Sequence, residues 1–68
     1  MKTNKLREIR KNKGYTQDEI GKLLGYKGKS GYSILESGKV KMKVETSIKL
    51  KGILKMSDEE YNEIFLDL

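Results

Sequence analysis

The sequence predicts an all-α protein made of five short helices in one domain that spans residues 1–68. Three observations support this fold class. Apolar residues recur at i, i+3 and i+4, glycines stand where such segments end, and two S/T-x-x-E motifs precede apolar runs, as capping boxes do at helix starts. A chain this short buries only about 60% of its unfolded surface, so we expect a small core.

The first two helices are marked by caps and apolar spacing. Helix one is predicted over about 4–13, with Gly14 after it, and has two candidate caps and a narrow apolar stripe: Thr3, Asn4, Leu6 and Ile9. Helix two starts with the capping box of Thr16 and Glu19 and ends at Gly25. Its core-facing residues have helical spacing: Ile20, Leu23 and Leu24.

Helix three is predicted over about 29–37, between two glycines. At 100° per residue, Tyr32 and Leu35 share the face toward the core, and we expect the Tyr32 hydroxyl to stay solvated. The opposite face is small and polar: Lys29, Ser30, Ser33 and Ser37. Because Ser and Gly lower helix propensity, this composition favours close approach to another molecule. A merely poor surface helix is the alternative.

The C-terminal part of the chain predicts a loop and two more helices. Residues 39–43 (KVKMK) are expected to be a basic loop rather than an edge strand, since no partner strand is in sight. Helix four is predicted over about 44–54, with apolar residues spread around it: Val44, Ile48, Leu50, Ile53 and Leu54. Helix five starts with the capping box of Ser57 and Glu60 and continues with Tyr61, Ile64, Phe65 and Leu68.

The composition removes most catalytic chemistry. Cys and His are absent, which excludes disulfides and a Ser-His-Asp nucleophile and removes the commonest metal ligand. A carboxylate-only site is not strictly excluded. We expect no enzyme, no cofactor, no metal and no small-molecule substrate. The longest apolar run, residues 64–66, is too short for a signal-peptide core or a membrane span, which predicts a soluble cytoplasmic protein.

Charge is divided unevenly along the chain, whose net charge is +5. Residues 1–43 carry 12 Lys and Arg against 4 Asp and Glu, whereas residues 44–68 carry 3 against 6. A basic front with an acidic tail indicates a polyanion surface on one side of the molecule. An ordinary lysine-rich surface is the alternative, and the pair of short helices joined by a turn favours the polyanion.

Several ordered motifs give the chain a resemblance to a known family. Its segments GYTQ at 14–17, LG at 24–25 and LESGK at 35–39 resemble the Cro and lambda-repressor-like helix-turn-helix family, over about residues 4–66. The resemblance implies a compact five-helix DNA-binding domain whose helices two and three form the helix-turn-helix. It also implies that helix three lies in the major groove of double-stranded DNA.

The same resemblance implies roles for individual residues. Gln17 would contact a phosphate, Lys39 would lie near the DNA backbone, and Arg10 and Glu36 would form a buried ion pair. The positions that face base edges match Lys29, Ser30 and Ser33. The turn at 26–28 is one residue longer than the common version, so Lys27 stays an alternative to Lys29 as the main base reader.

The chemistry of DNA recognition adds further candidates. Phosphates attract basic and amide side chains, here Asn12, Gln17, Lys27, Lys39, Lys41 and Lys43. A lysine at the start of helix three suits the O6 and N7 acceptors of guanine. Ile34, at the margin of the polar face, could touch a thymine methyl, but packing or a dimer contact is the favoured alternative.

We therefore expect a sequence-specific transcriptional regulator, a Cro-like phage or prophage repressor that binds a palindromic operator as a dimer. One domain makes few base contacts, so selectivity requires two copies, at least on DNA. Ile64 and Phe65 are expected to close the core, and Leu66 and Leu68 are candidates for an exposed dimer patch. An antitoxin or another protein-binding module on the same fold is the alternative.

Overall fold

The part of the chain that the structure describes contains five successive α-helices. The computed structural model describes residues 1–27 and 29–67, and at Lys29 the backbone alone. Within that part of the chain there is no strand, and the helices are α1 (Thr3–Asn12), α2 (Gln17–Leu23), α3 (Lys29–Glu36), α4 (Val44–Ile53) and α5 (Asp58–Phe65). The prediction of an all-α, five-helix fold is confirmed, and residues 39–43 form a loop as expected.

Two helices begin with the capping boxes that the sequence predicts. Thr16 Oγ1 accepts from the Glu19 amide at 3.1 Å, and Glu19 Oε1 accepts from the Thr16 amide at 2.9 Å. Ser57 and Glu60 repeat this exchange at α5, with distances of 3.1 and 2.9 Å. Each box satisfies two backbone donors that the helix itself leaves unpaired.

The predicted cap of α1 is wrong. The N-cap is Lys2, which makes no side-chain cap bond, and Thr3 and Asn4 both lie inside the helix. The Lys2 amide donates instead to the Ile64 carbonyl at 3.0 Å. This contact with α5 fixes where the chain enters α1, so tertiary packing decides the start of this helix rather than a local cap.

Helices α1 and α2 end in the same way, at a glycine in the left-handed conformation. Gly14 has φ 86° and Gly25 has φ 94°. The residue after each glycine donates back across the last turn, from Tyr15 to the Arg10 carbonyl at 3.1 Å and from Tyr26 to the Gly21 carbonyl at 2.8 Å. These are Schellman motifs, which satisfy carbonyls that the helix end leaves free.

The core draws on every helix and on the loop before α4. Its buried apolar residues are Leu6, Ile9, Ile20, Tyr32, Leu35, Met42, Leu50, Leu54, Met56, Ile64 and Phe65. Helix α2 packs mainly on α3, and α1 contacts both α3 and α5. The expectation that Leu23 faces the core is wrong, because the inner face of α2 runs through Ile20, Gly21 and Leu24, and Leu23 lies to one side of that face.

The register of α4 also differs from the expected apolar set. Val44 and Ile48 are exposed, whereas Leu50 and Leu54 are buried. The reason is Ser47, which is fully buried and whose hydroxyl lies 2.6 Å from the Val44 carbonyl and 2.7 Å from the Tyr61 hydroxyl. A small, hydrogen-bonded side chain therefore occupies the inner face of α4, where an apolar side chain was expected.

Candidate nucleic-acid interface

Helix α3 has one inner and one outer face. Tyr32 is fully buried and Leu35 nearly so, which holds the inner face against the core. On the other side Ser30 is exposed, Ser33 is half-buried and Ile34 is 44% exposed. The outer face is therefore short and polar, with one β-branched apolar residue at its margin, and the helix backbone can approach another surface closely.

Not all of the predicted base readers can be located. Lys27 is exposed in the turn before α3. The Lys29 side chain and all of Gly28 lie outside the described residues, so the geometry does not choose between Lys27 and Lys29. Ser37 lies just past the end of α3, where its hydroxyl donates to the Ile34 carbonyl at 2.7 Å and accepts from the Lys39 amide at 3.3 Å. This side chain is engaged in ending the helix.

The predicted phosphate contacts come from three separate segments. In the loop after α3, Lys39, Lys41 and Lys43 are all exposed, while Met42 between them is 2% exposed. The buried methionine anchors this loop and turns the neighbouring lysines outward. Asn12 is exposed at the end of α1, and Gln17 is half-buried as the first residue of α2.

Arg10 and Glu36 meet inside the protein. Arg10 Nε lies 2.8 Å from Glu36 Oε2 and 3.2 Å from Oε1, and Arg10 Nη2 lies 3.1 Å from Oε1. Arg10 Nη1 also donates to the Tyr15 carbonyl at 2.8 Å, and the exposed Arg7 approaches Glu36 at 3.7 Å. One guanidinium thus connects α1, the turn before α2 and the end of α3.

The expected solvation of Tyr32 is wrong. Its hydroxyl is enclosed and makes no hydrogen bond of good geometry to any residue that the structure describes. Burial raises the pKa of the Tyr32 phenol, and the nearby Glu36 carboxylate raises it further, so this phenol stays neutral. Helical spacing predicts that the Tyr32 ring faces the core, but it does not report whether the hydroxyl at the end of that ring reaches water.

The two chain ends meet on the side formed by α1 and α5. The Met1 ammonium binds the Asp67 carboxylate at 2.6 Å, and Lys5 lies 3.6 Å from Glu63. Ile64 and Phe65 are buried, as expected, and Leu66 is 84% exposed. Leu68 lies outside the described residues. The exposed apolar residues that the sequence does not predict include Leu23 on α2 and, in and before α4, Val40, Val44 and Ile48.

Among residues 1–27 and 29–67, no cluster of Asp and Glu side chains is arranged to hold a metal ion. None of the helices described there is long and apolar enough to cross a membrane. The arrangement presents a short polar helix face flanked by lysines. Such a surface suits a polyanion that also carries hydrogen-bond donors and acceptors.

Comparison with known proteins identifies the class. Residues 6–61 match the helix-turn-helix family, and this is most of the chain. No curated protein and no solved structure matches it. The chain therefore belongs to the Cro-type helix-turn-helix family, and it is a DNA-binding transcription regulator of the helix-turn-helix type.

Proposed function

We propose that the protein is a Cro-like phage or prophage repressor that binds a palindromic operator as a dimer. The observation that carries this proposal is the outward, small and polar face of α3, with Ser30 exposed and Tyr32 buried behind it. Short side chains let the helix backbone sit deep in a major groove, which admits one α-helix. Base readers in this arrangement are Ser30 and Ser33, with Lys29 or Lys27.

The lysines of the loop after α3 support the proposal because they can supply affinity for the DNA backbone. Lys39, Lys41 and Lys43 are exposed, and Met42 holds the loop to the core. Contacts to phosphate set the position of a protein on the duplex but carry no sequence information. In our proposal these lysines, with Asn12 and Gln17 at the ends of α1 and α2, grip the backbone on either side of α3.

The size of the molecule supports a dimer. The longest extent of the Cα trace is 29 Å, whereas successive major grooves on one face of the duplex lie about 34 Å apart. One copy therefore reaches one groove, and a two-fold symmetric pair reaches two half-sites. Leu66, the most exposed of the large apolar side chains described, is available for such a contact.

Selection of bound duplexes from a random library tests the proposal. We expect an enriched site with two-fold symmetry and half-site centres about 10 base pairs apart. Enrichment of a single, asymmetric half-site would contradict the dimer but leave sequence recognition intact. If repeated rounds at moderate salt enrich no sequence, the proposed function is wrong.

The base-reading role is tested by Lys29→Ala, with Lys27→Ala in parallel. The variant that lacks the main base-reading lysine should lose about 1–3 kcal/mol of affinity for the selected duplex and should accept other bases at one position. The other lysine should weaken selected and random duplexes about equally, as a phosphate contact does. Equal losses on both duplexes for both variants would leave no lysine in the base-reading role.

A protein-binding module, such as an antitoxin, is the second candidate. The observation that favours it is the exposed apolar set in and before α4: Val40, Val44 and Ile48. A stable protein partner that co-purifies with the chain, together with absent DNA selection, would favour this function. Co-purification together with selection would fit an antitoxin that also represses its own operon.

A further inference from the structure

Tyr26 and Gly31 touch across the turn of the helix-turn-helix. The Tyr26 backbone is fixed by its hydrogen bond to the Gly21 carbonyl, and its ring lies against Gly31 in the first turn of α3. A Cβ atom placed on Gly31 would lie 2.9 Å from Cδ1 of the ring, 3.1 Å from Cγ and 3.4 Å from Cε1. The ring thus occupies the space that any side chain at position 31 would need.

A glycine at this position needs an explanation. Glycine inside a helix costs about 0.5–1 kcal/mol relative to alanine, and Gly31 has an ordinary helical φ that any residue could adopt. Its backbone conformation therefore does not require glycine. The contact with Tyr26 does, because the conflict involves Cγ near the root of that side chain, so either the whole Tyr26 ring or the first turn of α3 would have to move to relieve it.

The contact lies where α3 most needs support. The first turn of a helix has amides without intrahelical partners, and Gly31 lies in the first turn of α3. Tyr26 as a whole residue is 37% exposed, so most of its surface is covered by neighbouring atoms. The contact of Tyr26 with Gly31 holds the first turn of α3, which also carries Ser30, one of the proposed base-reading positions.

We propose that Tyr26 and Gly31 form a coupled positioning pair that sets the height and rotation of the first turn of α3 on the DNA. This inference rests on the proposed function for its consequence in recognition. Base contacts require donors and acceptors at hydrogen-bond distance, so a small displacement of this turn removes them. The loop lysines and α1 hold the phosphates independently of this turn. The pair therefore governs the preference for the selected duplex over random DNA.

Four variants test the pair: Tyr26→Ala, Tyr26→Phe, Gly31→Ala and the double variant Tyr26→Ala with Gly31→Ala. We expect Tyr26→Ala and Gly31→Ala each to lower the ratio of selected to random affinity about tenfold, the cost of about one mismatched base pair. Random-duplex affinity and its salt dependence should not change. Tyr26→Phe, which keeps the ring, should retain the wild-type ratio.

Coupling and a matched control separate positioning from general damage. The double variant should be no worse than the worse single variant, because both changes break the same contact. Gly52→Ala is the control, since Gly52 is also helical but has no atom within 4 Å of an added Cβ. It should leave the ratio unchanged. Additive losses, or an unchanged ratio in Tyr26→Ala and Gly31→Ala, would overturn the pair.

Hydrogen exchange tests the pair without DNA. In Tyr26→Ala and Gly31→Ala we expect faster exchange of the Ser33 and Ile34 amides, the first with partners inside α3, while amides of α5 keep their wild-type rates. Equal rates at Ser33 and Ile34 in all variants would refute positioning even if the wild type selects no duplex. Failure to select, with the expected exchange pattern, would refute only the repressor function.

Discussion

Glu36 is the charged side chain whose removal should affect the protein most. Its carboxylate is fully buried and receives three contacts from Arg10, which also binds the Tyr15 carbonyl. Glu36→Gln leaves the Arg10 charge buried without its counter-ion, so we expect the free energy of unfolding to fall by about 3–5 kcal/mol. Urea denaturation followed by circular dichroism measures this.

An exposed ion pair provides the control for Glu36. Lys22 and Asp18 lie one turn apart on α2, and Lys22 Nζ is 3.2 Å from Asp18 Oδ2; their side chains are 67% and 47% exposed. Lys22→Ala should change the free energy of unfolding by no more than about 0.5 kcal/mol. If Glu36→Gln costs as little as Lys22→Ala, the buried ion pair does not hold α1 to α3.

At the residue scale, the sequence predicts which charged side chains pair better than it predicts which side chains are buried. Arg10 and Glu36 were paired by resemblance to a family, and the structure brings their side chains together. Met42 was read only as part of a basic loop, yet it is buried. Helical periodicity cannot detect an anchor in a loop, because burial there depends on where the helices on either side pack. The enclosure of the Tyr32 hydroxyl likewise depends on what packs around α3, although the spacing of that helix predicts that the ring faces the core.

At the scale of elements, helix ends were predictable where they are local. The capping boxes at Thr16 and Ser57 and the stop at Gly25 involve residues within a few positions of one another, so their patterns appear in the sequence. The face of α4 was not predictable in this way. Ser47 is buried because the Tyr61 hydroxyl of α5 meets it, and no pattern within α4 reports that partner.

Backbone conformation, rather than space, should decide how Gly14 and Gly52 respond to substitution. An added Cβ meets no atom within 4 Å at Gly14 or at Gly52. Gly52 is helical, so Gly52→Ala should stabilise the protein by about 0.5–1 kcal/mol. Gly14 has φ 86°, so Gly14→Ala should destabilise it by about 1–2 kcal/mol. Thermal melting of both variants checks the signs, and equal signs would contradict the argument.

At the scale of the whole molecule, stability should fall in acid. Three carboxyl groups have a lowered pKa: Asp58 because it binds Lys51, Glu60 because it accepts from the Ser57 amide, and Asp67 because it binds the N-terminal ammonium. The unfolded chain binds more protons at these groups, so their contribution is present above the ordinary pKa values of 3.8 and 4.5 and is lost as the pH falls through the lowered ones.

Urea midpoints measured between pH 7 and pH 2 test this dependence. We expect a decline that begins below about pH 4.5, the ordinary pKa of Glu. Asp58→Asn removes one of the three groups and should make the decline shallower, because one proton fewer is bound on unfolding. An acid decline of equal steepness in Asp58→Asn and the wild type would show that the contact between Lys51 and Asp58 contributes nothing.

The uneven charge of the chain should appear as a salt dependence of DNA binding. If Lys39, Lys41 and Lys43 each neutralise one phosphate, replacing all three by Ala reduces the slope of log affinity against log salt by about 0.9 for each contact. Selected and random duplexes should lose affinity alike, since phosphates carry no sequence. Lys49→Ala, an exposed change on α4 outside the proposed contacts, should leave the slope unaltered. If the triple variant keeps the wild-type slope, the phosphate contacts lie elsewhere. If it loses affinity for the selected duplex alone, these lysines contact bases rather than phosphates.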